Sequence, residues 1–376
     1  MFTDALAGDI FTDVPHTPES GLPRTRALWF PLSPMPAPDD IGLVPPGVPA
    51  PAAFIRGARG AIARPPEGID PWFHQYLGHL VDDTGLRTYV RAKRQLLDLT
   101  SGVAGKVVVD AGAGFGMVSN LFALWGAKRV ISLEVHTPMV HTHARINAAH
   151  FPELVQRVHN VRCDVAAMPV KSASADMVFS IEAISHYFNV DGFLDECARV
   201  LRPGGQLVVS DGNNGANPAV RKFLLDYWER LENGPEGPFG TEVVPEPMRM
   251  RRERVLRQNF PELAAARVDE LARVTSGMDR AQIVEVVGAH LRGGPPPATP
   301  YARGMCPRDP EWGYVMERQF DARELAARLE RRGFTAKAIP HFGGAANDFL
   351  LAANVVLRAF PTHRWARAFR VVATRL

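Results

Sequence analysis

Residues 107–116 read VVVDAGAGFG, and this stretch decides the fold. A run of β-branched valines reads as a strand buried on both faces. Asp110 ends it, and Gly112, Gly114 and Gly116 make a turn in which backbone can take positive φ and pass close to a ligand. MVSNLFALWG (117–126) follows as a helix, so its free N–H groups and positive dipole end face the same turn.

Outward from this turn, strands and helices alternate. RVISLEV (129–135) reads as a strand and PMVHTHARINAAH (138–150) as a helix. HNVRCDV (159–165) and ADMVFSI (175–181) are strands, VDGFLDECARVLRPGG (190–205) a helix with a glycine stop, and QLVVSDGNN (206–214) a fifth strand. The alternation predicts an α/β fold, a mostly parallel sheet with helices on both faces. Upstream, PWFHQYLGHLVDD and TGLRTYVRAKRQLLDLTS carry helical periodicity.

Four segments follow from these patterns. Residues 1–68 are a Pro-rich extension, including PLSPMPAPDDIGLVPPGVPAP, expected to be extended because proline removes donors and fixes φ. Residues 69–213 form the core. Residues 214–320 are an insert far longer than ordinary connections, with helical pieces PAVRKFLLDYWERLEN, PEPMRMRRERVLRQNF, ELAAARVDELARV and AQIVEVVGAHL. Residues 321–376 complete the sheet with DARELAARLERRGF, TAKAIPHF and AFRVVATR, interrupted by the apolar GGAANDFLLAANVVLRAFPTHRW.

Composition narrows the function. A net charge of +3 over 376 residues offers no clustered basic face for nucleic acid, and MRMRRERVLRQ reads as a solvated helix face. No apolar run approaches a membrane span. Cys163, Cys197 and Cys306 are too far apart in sequence for a metal motif and suit reduced thiols. His136, His141, His143 and His150 read as solvent-facing histidines, and no metal is expected. These features lead to the expectation of a cytoplasmic protein without a membrane segment.

The glycine spacing favours one ligand over another. G-x-G-x-G differs from the G-x-G-x-x-G of dinucleotide sites, and an acid before the turn would repel a pyrophosphate. Asp110 can instead attract a cationic amino group. Glu134 ends the second strand 134 − 112 = 22 positions past Gly112, near the offset at which an acid meets ribose hydroxyls.

These motifs together resemble the class I S-adenosylmethionine (SAM)-dependent methyltransferases, especially their UbiE-like, methyltransferase 11 type group. VxDAGAGFG is similar to their first motif, and Glu134 in SLEV to their ribose acid. Asp164 in CDVAAMPV is similar to the Asp beside the adenine amino group. SADMVFSIEA and LRPGGQLVVSD resemble their fourth- and fifth-strand motifs. The resemblance spans about Leu86 to Asn213, Asp321–Pro340 and Ala368–Arg375. It implies a Rossmann-like, doubly wound, mostly parallel seven-stranded sheet and SAM as cofactor. It also implies that Asp110, Ala111, Gly112, Ala113, Gly114 and Gly116 contact the methionine moiety. Glu134 would hold the ribose hydroxyls, with Val135 and His136 flanking the adenine. Asp164 and Val165 would read the adenine edge, and Ser180 would face the reacting methyl.

The candidate base is His186, after the fourth strand, with Tyr187 to orient an acceptor; packing explains either residue equally well. Asp211, Asn213 and Asn214 could bind an acceptor by hydrogen bonds. The insert, with Phe223, Tyr227 and Trp228 at helical spacing, reads as a cap over a small-molecule or glycan/lipid-linked acceptor methylated at oxygen. An NAD(P)-dependent oxidoreductase on the same fold and a non-catalytic SAM-binding protein remain alternatives.

Overall fold

The computed structural model describes residues 52–77, 80, 82–240, 242–244, 246–343, 353–354, 356–357, 360 and 362–376. The PLSPMPAPDDIGLVPPGVPAP segment and most of the apolar insert before residue 365 lie outside them. The chain divides into two compact units. One holds the chain up to Ile184, Asn189–Gly212 and Asp321–Leu376, and the other holds Ser185–Phe188 and Asn213–Phe320.

The first unit is built on seven strands. β1 (Val107–Ala111), β2 (Arg129–Glu134), β3 (Val158–Arg162), β4 (Ala175–Ile181) and β5 (Leu201–Asp211) come first along the chain. After an excursion into the second unit, β8 (Phe334–His341) and β9 (Ala368–Arg375) close the sheet in the order β3-β2-β1-β4-β5-β9-β8. β1 to β5 are mutually parallel, and β9 runs antiparallel to both neighbours. This is the doubly wound, mostly parallel α/β sheet that the motifs imply. The chain runs outward from β1 to β3 and then crosses back to β4. The carboxyl ends of β1 and β4 therefore flank the switch point where such sheets bind ligands.

β5 begins earlier than its sequence suggests. The preceding helix, α6 (Val190–Val200), stops before the LRPGG segment, because Pro203 has no N–H and cannot continue it. That segment joins the strand, and the β4–β5 register jumps from Ala175–Leu201 to Met177–Gln206 to absorb it.

One face of the sheet carries α1 (Ala52–Ala63), α2 (Trp72–Leu77), α3 (Asp83–Leu97), α4 (Met117–Leu124) and α5 (Thr137–His150). Phe54, Leu86, Val90, Leu121 and Phe122 from these helices bury against Val108, Val130, Met177, Phe179 and Val208 of the sheet. α1 corrects the expectation of an irregular stretch up to residue 68. Its Phe54, Ala58 and Ala61 are fully buried. Gly57 and Gly60 let it lie so close that an added Cβ would fall 2.3 Å from the Phe151 ring and 2.7 Å from His150. Tertiary packing, rather than local propensity, makes the helix here. Among the described residues, no helix is long and apolar enough to cross a membrane.

The second unit is mainly helical: α7 (Pro218–Asn233), α8 (Met248–Asn259), α9 (Ala265–Val274) and α10 (Arg280–Leu291), with a hairpin of β6 (Gly237–Phe239) and β7 (Glu242–Val244) that the sequence did not signal. Phe223 and Tyr227 of α7 pack on Phe239 of the hairpin, with ring centroids 5.7 and 5.9 Å away. Tyr227 and Trp228 are 3% exposed, so within this unit these aromatics serve its core.

The basic run on α8 is not the solvated face that its sequence suggests. Arg251 and Arg252 are 3% and 1% exposed. Arg251 pairs with the buried Asp309, and Arg252 lies 2.6 Å from Glu232. The guanidiniums neutralise acids supplied by distant parts of the insert, which a local charge pattern cannot show. Arg251→Ala leaves Asp309 charged and unpaired in the interior. It should destabilise the second unit by about 3–5 kcal/mol, whereas Arg257→Ala, at a residue 54% exposed on its side chain, should cost less than about 0.5 kcal/mol. Urea unfolding followed by tryptophan fluorescence measures both, and equal effects would contradict the burial.

Candidate cofactor site at the strand ends

β1 delivers Asp110 to the switch point 2% exposed. Ser119 Oγ, in the first turn of α4, donates to Asp110 Oδ2 at 2.6 Å. Burial pushes the Asp110 carboxyl up to about 6; the Ser119 hydrogen bond and the Lys93 charge pull it down, and Glu134 pushes it up. At neutral pH it is an ionised acid with one strong donor.

The glycine turn is fastened to β2. Gly112 N and Ala113 N both donate to Leu133 O at 2.9 Å. The Glu134 carboxylate then gathers three backbone N–H groups. Oε2 accepts from Gly114 at 2.8 Å, and Oε1 accepts from Val135 at 2.8 Å and His136 at 3.0 Å. One side chain thus fixes both the turn after β1 and the loop after β2.

The glycines divide by role. Gly112, Gly114 and Gly116 all have positive φ, at 71°, 55° and 73°. Among the described residues nothing lies within 4 Å of where a Gly114 Cβ would sit, so the turn leaves open space there. A Gly116 Cβ would lie 1.9–2.1 Å from the His143 ring. Gly114 is therefore free to face a ligand, whereas Gly116 is required by packing as well as by φ.

His143 corrects the solvent-facing reading of the histidine cluster, being 1% exposed. Its Nδ1 lies 3.3 Å from Ser132 Oγ, and its Nε2 lies 3.2 Å from Asn120 Oδ1 and 3.1 Å from Asn147 Nδ2. Asn120 Nδ2 donates to Asn147 Oδ1 at 2.7 Å. Nε2 can donate to Asn120 or accept from Asn147, but not both, in a neutral ring. Burial pulls the imidazole down to about 3, so it stays neutral. His141 is exposed, and His136 and His150 are half-buried. Among the described residues no three His, Cys, Asp or Glu side chains gather as a metal site.

The remaining sequence-predicted cofactor residues sit at neighbouring strand ends. Cys163 N donates to Glu134 O at 3.1 Å, which holds the segment after β3 beside β2. Asp164 Oδ1 accepts from Ala166 N at 2.9 Å and shapes that turn, and Val165 is 6% exposed. Ser180 is fully buried on β4, in register with Ala111. The first unit therefore brings Asp110–Gly116, Glu134–His136, Asp164–Val165 and Ser180 to the carboxyl ends of adjacent parallel strands.

His186 and Tyr187 belong to the second unit. His186 Nδ1 lies 3.2 Å from Val315 O, and Nε2 lies 3.5 Å from Glu317 Oε1. A carbonyl only accepts, so Nδ1 carries hydrogen, and the Nε2–Glu317 contact is attractive only with a proton held between ring and carboxyl. Burial raises the Glu317 carboxyl, against a 2.5 Å hydrogen bond from Asn213 Nδ2. Glu317 also takes a left-handed φ of 52°.

Sequence reasoning missed several residues around Asp110. Phe115 in the turn packs with ring centroids 5.3–5.5 Å from Trp72, Phe73 and Tyr76 of α2, tilted or edge-on to each. Tyr76 is 38% exposed, and its phenol is pushed up by the desolvation of its inner side and by the charges of Glu182, Asp110 and Glu134. Glu182, just past β4, has a left-handed φ of 52°, and its Oε2 accepts from Gly212 N at 3.2 Å. Phe115 and Glu182 lie inside quoted motifs without a signal of their own, and the helical periodicity of PWFHQYL reports a buried face but not what it meets.

Two predictions follow from this packing. Gly116→Ala should cost roughly 3 kcal/mol, from the left-handed conformation and the overpacked His143, while Gly114→Ala should cost about 1 kcal/mol, from φ alone. Equal losses in urea unfolding would contradict the division. For His143 the folded pKa is depressed, so the unfolded chain binds the proton first and stability falls as pH drops from about 6.5 towards 3. Asp110 acts in the opposite sense between about 6 and its ordinary value. Against His143→Gln, wild type should therefore lose about 2 kcal/mol between pH 7 and pH 5. Identical pH dependence in the two proteins would mean that the ring is not buried neutral.

The segment that carries these strand ends matches known proteins in sequence. Residues 109–209 match the methyltransferase domain family. The dimethylglycine N-methyltransferase of Parasynechococcus marenigrum is 34% identical over 36% of this chain and 49% of its own length. The demethylmenaquinone methyltransferase of Tropheryma whipplei is 32% identical over 37% of this chain and 52% of its own. The malonyl-[acyl-carrier protein] O-methyltransferase of Serratia marcescens is 30% identical over 37% and 49%. The chain spans about half the length of these curated relatives. Together with the sheet and the strand-end acids, the match shows that the chain carries a class I SAM-dependent methyltransferase domain, for which SAM is the cofactor.

Proposed function

We propose that the whole chain transfers a methyl group from SAM to a small-molecule or glycan/lipid-linked acceptor, at oxygen. The observation that carries this reading is the pair of acids at adjacent strand ends, Asp110 and Glu134, together with the glycine turn that leaves open space at Gly114. The three relatives are named for different acceptors, so the domain itself does not select the atom that is methylated. Polar strand-end residues favour oxygen in our reading.

The residues present fit SAM. The Asp110 carboxylate matches the cationic amino end, and Gly114 leaves room for the methionine chain. Glu134 uses three of about four acceptor sites on backbone, which leaves capacity for a ribose hydroxyl while the carboxylate stays rigid. Asp164 and Val165 would meet the adenine edge, Val135 and His136 its faces, and Ser180 the methyl end. When bound, SAM supplies a methyl group already activated on a sulfonium, so alignment provides much of the acceleration.

We assign acceptor selection to the second unit, because the chain enters it directly after β4 and again after β5. His186 is better read as part of a proton-holding pair with Glu317 than as a free base, since Nε2 faces that carboxylate. Tyr187 keeps the acceptor-orienting role suggested by the sequence.

Calorimetry with S-adenosylhomocysteine, and transfer of tritiated methyl from SAM to a metabolite extract of the encoding organism, test the reading. Glu134→Gln should lower the cofactor affinity about ten- to a hundredfold, as expected for one charge-assisted hydrogen bond together with a loosened turn. Wild type should place label on a small-molecule oxygen. Binding of NAD in place of SAM, or undiminished affinity in Glu134→Gln, would contradict it.

A further inference from the structure

Just before β9, a threonine turns inward while the aromatics on either side of it turn outward. Thr362 is 3% exposed, and its Oγ1 donates to Leu357 O at 3.0 Å. Trp365 N and Ala366 N both donate to Thr362 O, at 3.0 and 3.3 Å, and Ala366 is fully buried. Farther back, the buried Asn354 accepts from Phe342 N at 2.9 Å and donates to Gly343 O at 2.8 Å, which ties the segment to the end of β8. These anchors leave Val356, Phe360 and Trp365 61%, 56% and 66% exposed. Apart from the terminal Leu376, they are the most exposed large apolar side chains among the described residues. Burial alone would favour the opposite arrangement, with the aromatics inside and the threonine in water. Single exposed apolar residues are ordinary, but three along ten positions of chain mark a contact surface.

The same stretch is basic. Residues 349–367 hold Arg358, His363, Arg364 and Arg367 and no acid. Arg364 and Arg367 are exposed and flank Trp365 in the chain. Asp321, whose charge reaches His363, is paired with Arg323 at 2.9 Å. Ala368 pairs with His341 at the end of β8 and Phe369 with Asp211 at the end of β5, so the segment joins the sheet at its carboxyl edge. We propose that this segment seats the protein on the surface of a bilayer that contains anionic lipid. Trp365 and Phe360 enter the boundary between headgroups and acyl chains, where aromatic side chains settle. Arg364 and Arg367 meet the lipid phosphates, which guanidinium groups fit in charge and shape. The element lies on the membrane and does not cross it. Three side chains offer much less area than the roughly 800 Å² that each partner gives to a stable protein interface. A bilayer surface, by contrast, is held by a shallow apolar contact combined with a basic one. Membrane seating is independent of the methyl-transfer reading.

Sedimentation of the full chain with sucrose-loaded vesicles, without SAM or acceptor, tests the proposal. Vesicles of phosphatidylcholine with about one-third phosphatidylglycerol should carry down wild type at least about tenfold better than phosphatidylcholine alone. Raising the salt from about 0.1 M to about 1 M should release most of it, because the screening length falls from about 10 Å to about 3 Å. Arg364→Ala combined with Arg367→Ala should weaken the partition roughly twenty-fivefold, about fivefold for each charge. Phe360→Ser combined with Trp365→Ser should weaken it at least about tenfold. All four positions are exposed, so the urea midpoints of these variants should match that of wild type. As a second reading, lipids brominated on their acyl chains should quench part of the tryptophan emission, and that part should be missing in Trp365→Phe. Equal sedimentation with both kinds of vesicle, variants that bind as wild type does, or quenching unchanged in Trp365→Phe would each overturn the proposal. So would a Phe360→Ser, Trp365→Ser protein that binds vesicles normally but turns from dimer to monomer in light scattering, since the segment would then join two copies of the chain.

Discussion

Three backbone N–H groups from two different loops converge on the Glu134 carboxylate, and the proposed cofactor site depends on that convergence. A glycine turn alone is loose, because glycine loses more conformational freedom on ordering than any other residue. Here Leu133 O anchors the start of the turn and Glu134 its middle, so the end of β2 orders the loop after β1. A residue expected to serve the ligand thus first serves the protein. In the proposed complex the carboxylate that would meet a ribose also sets the backbone toward the rest of the nucleoside, so binding would cost little ordering entropy.

Beneath the turn lies a second constraint. The neutral His143 ring fills the space that a Gly116 Cβ would need, and it is tied to Ser132, Asn120 and Asn147. Ser132 belongs to β2, Asn120 to α4 and His143 and Asn147 to α5, so the network joins the elements on either side of the turn. A buried polar network satisfied in one arrangement favours that arrangement strongly, since its members are costly to leave unpaired. The chain places a polar cluster under the glycine turn rather than an apolar one, which ties α4 to α5.

Much of the first unit was legible in the sequence because its signals are local. Valine runs mark strands buried on both faces, glycines mark the turn, and the acids at strand ends follow by spacing. What was illegible depends on contacts between distant residues. α1 is a helix only because Gly57 and Gly60 let it seat on Phe151 and His150. Arg251 and Arg252 read as solvent-facing because Asp309 and Glu232 are remote in sequence. The alternation of polar and apolar residues in VHTPMVHTHARINAAH cannot say which histidine turns inward. His186 was visible as a residue type after β4, but its Glu317 partner stands 131 positions later (317 − 186) and carries no motif. Trp72, Phe73 and Tyr76 likewise gain meaning only once α2 is seen packed on Phe115 of the glycine turn.

In the proposed function Asp110 acts as an ionised acid toward the amino end of the cofactor. Its carboxyl, held up near 6 by burial, makes that claim directly measurable. Calorimetric titration of S-adenosylhomocysteine between pH 8 and pH 5 reads it, because the ligand's amino group stays cationic through the lower part of that range. The predicted result is an affinity constant above pH 6.5 that falls about tenfold by pH 5 as Asp110 takes up its proton, with that fall absent in Asp110→Asn. An affinity that is level across the whole range in wild type, or that falls equally in Asp110→Asn, would contradict it.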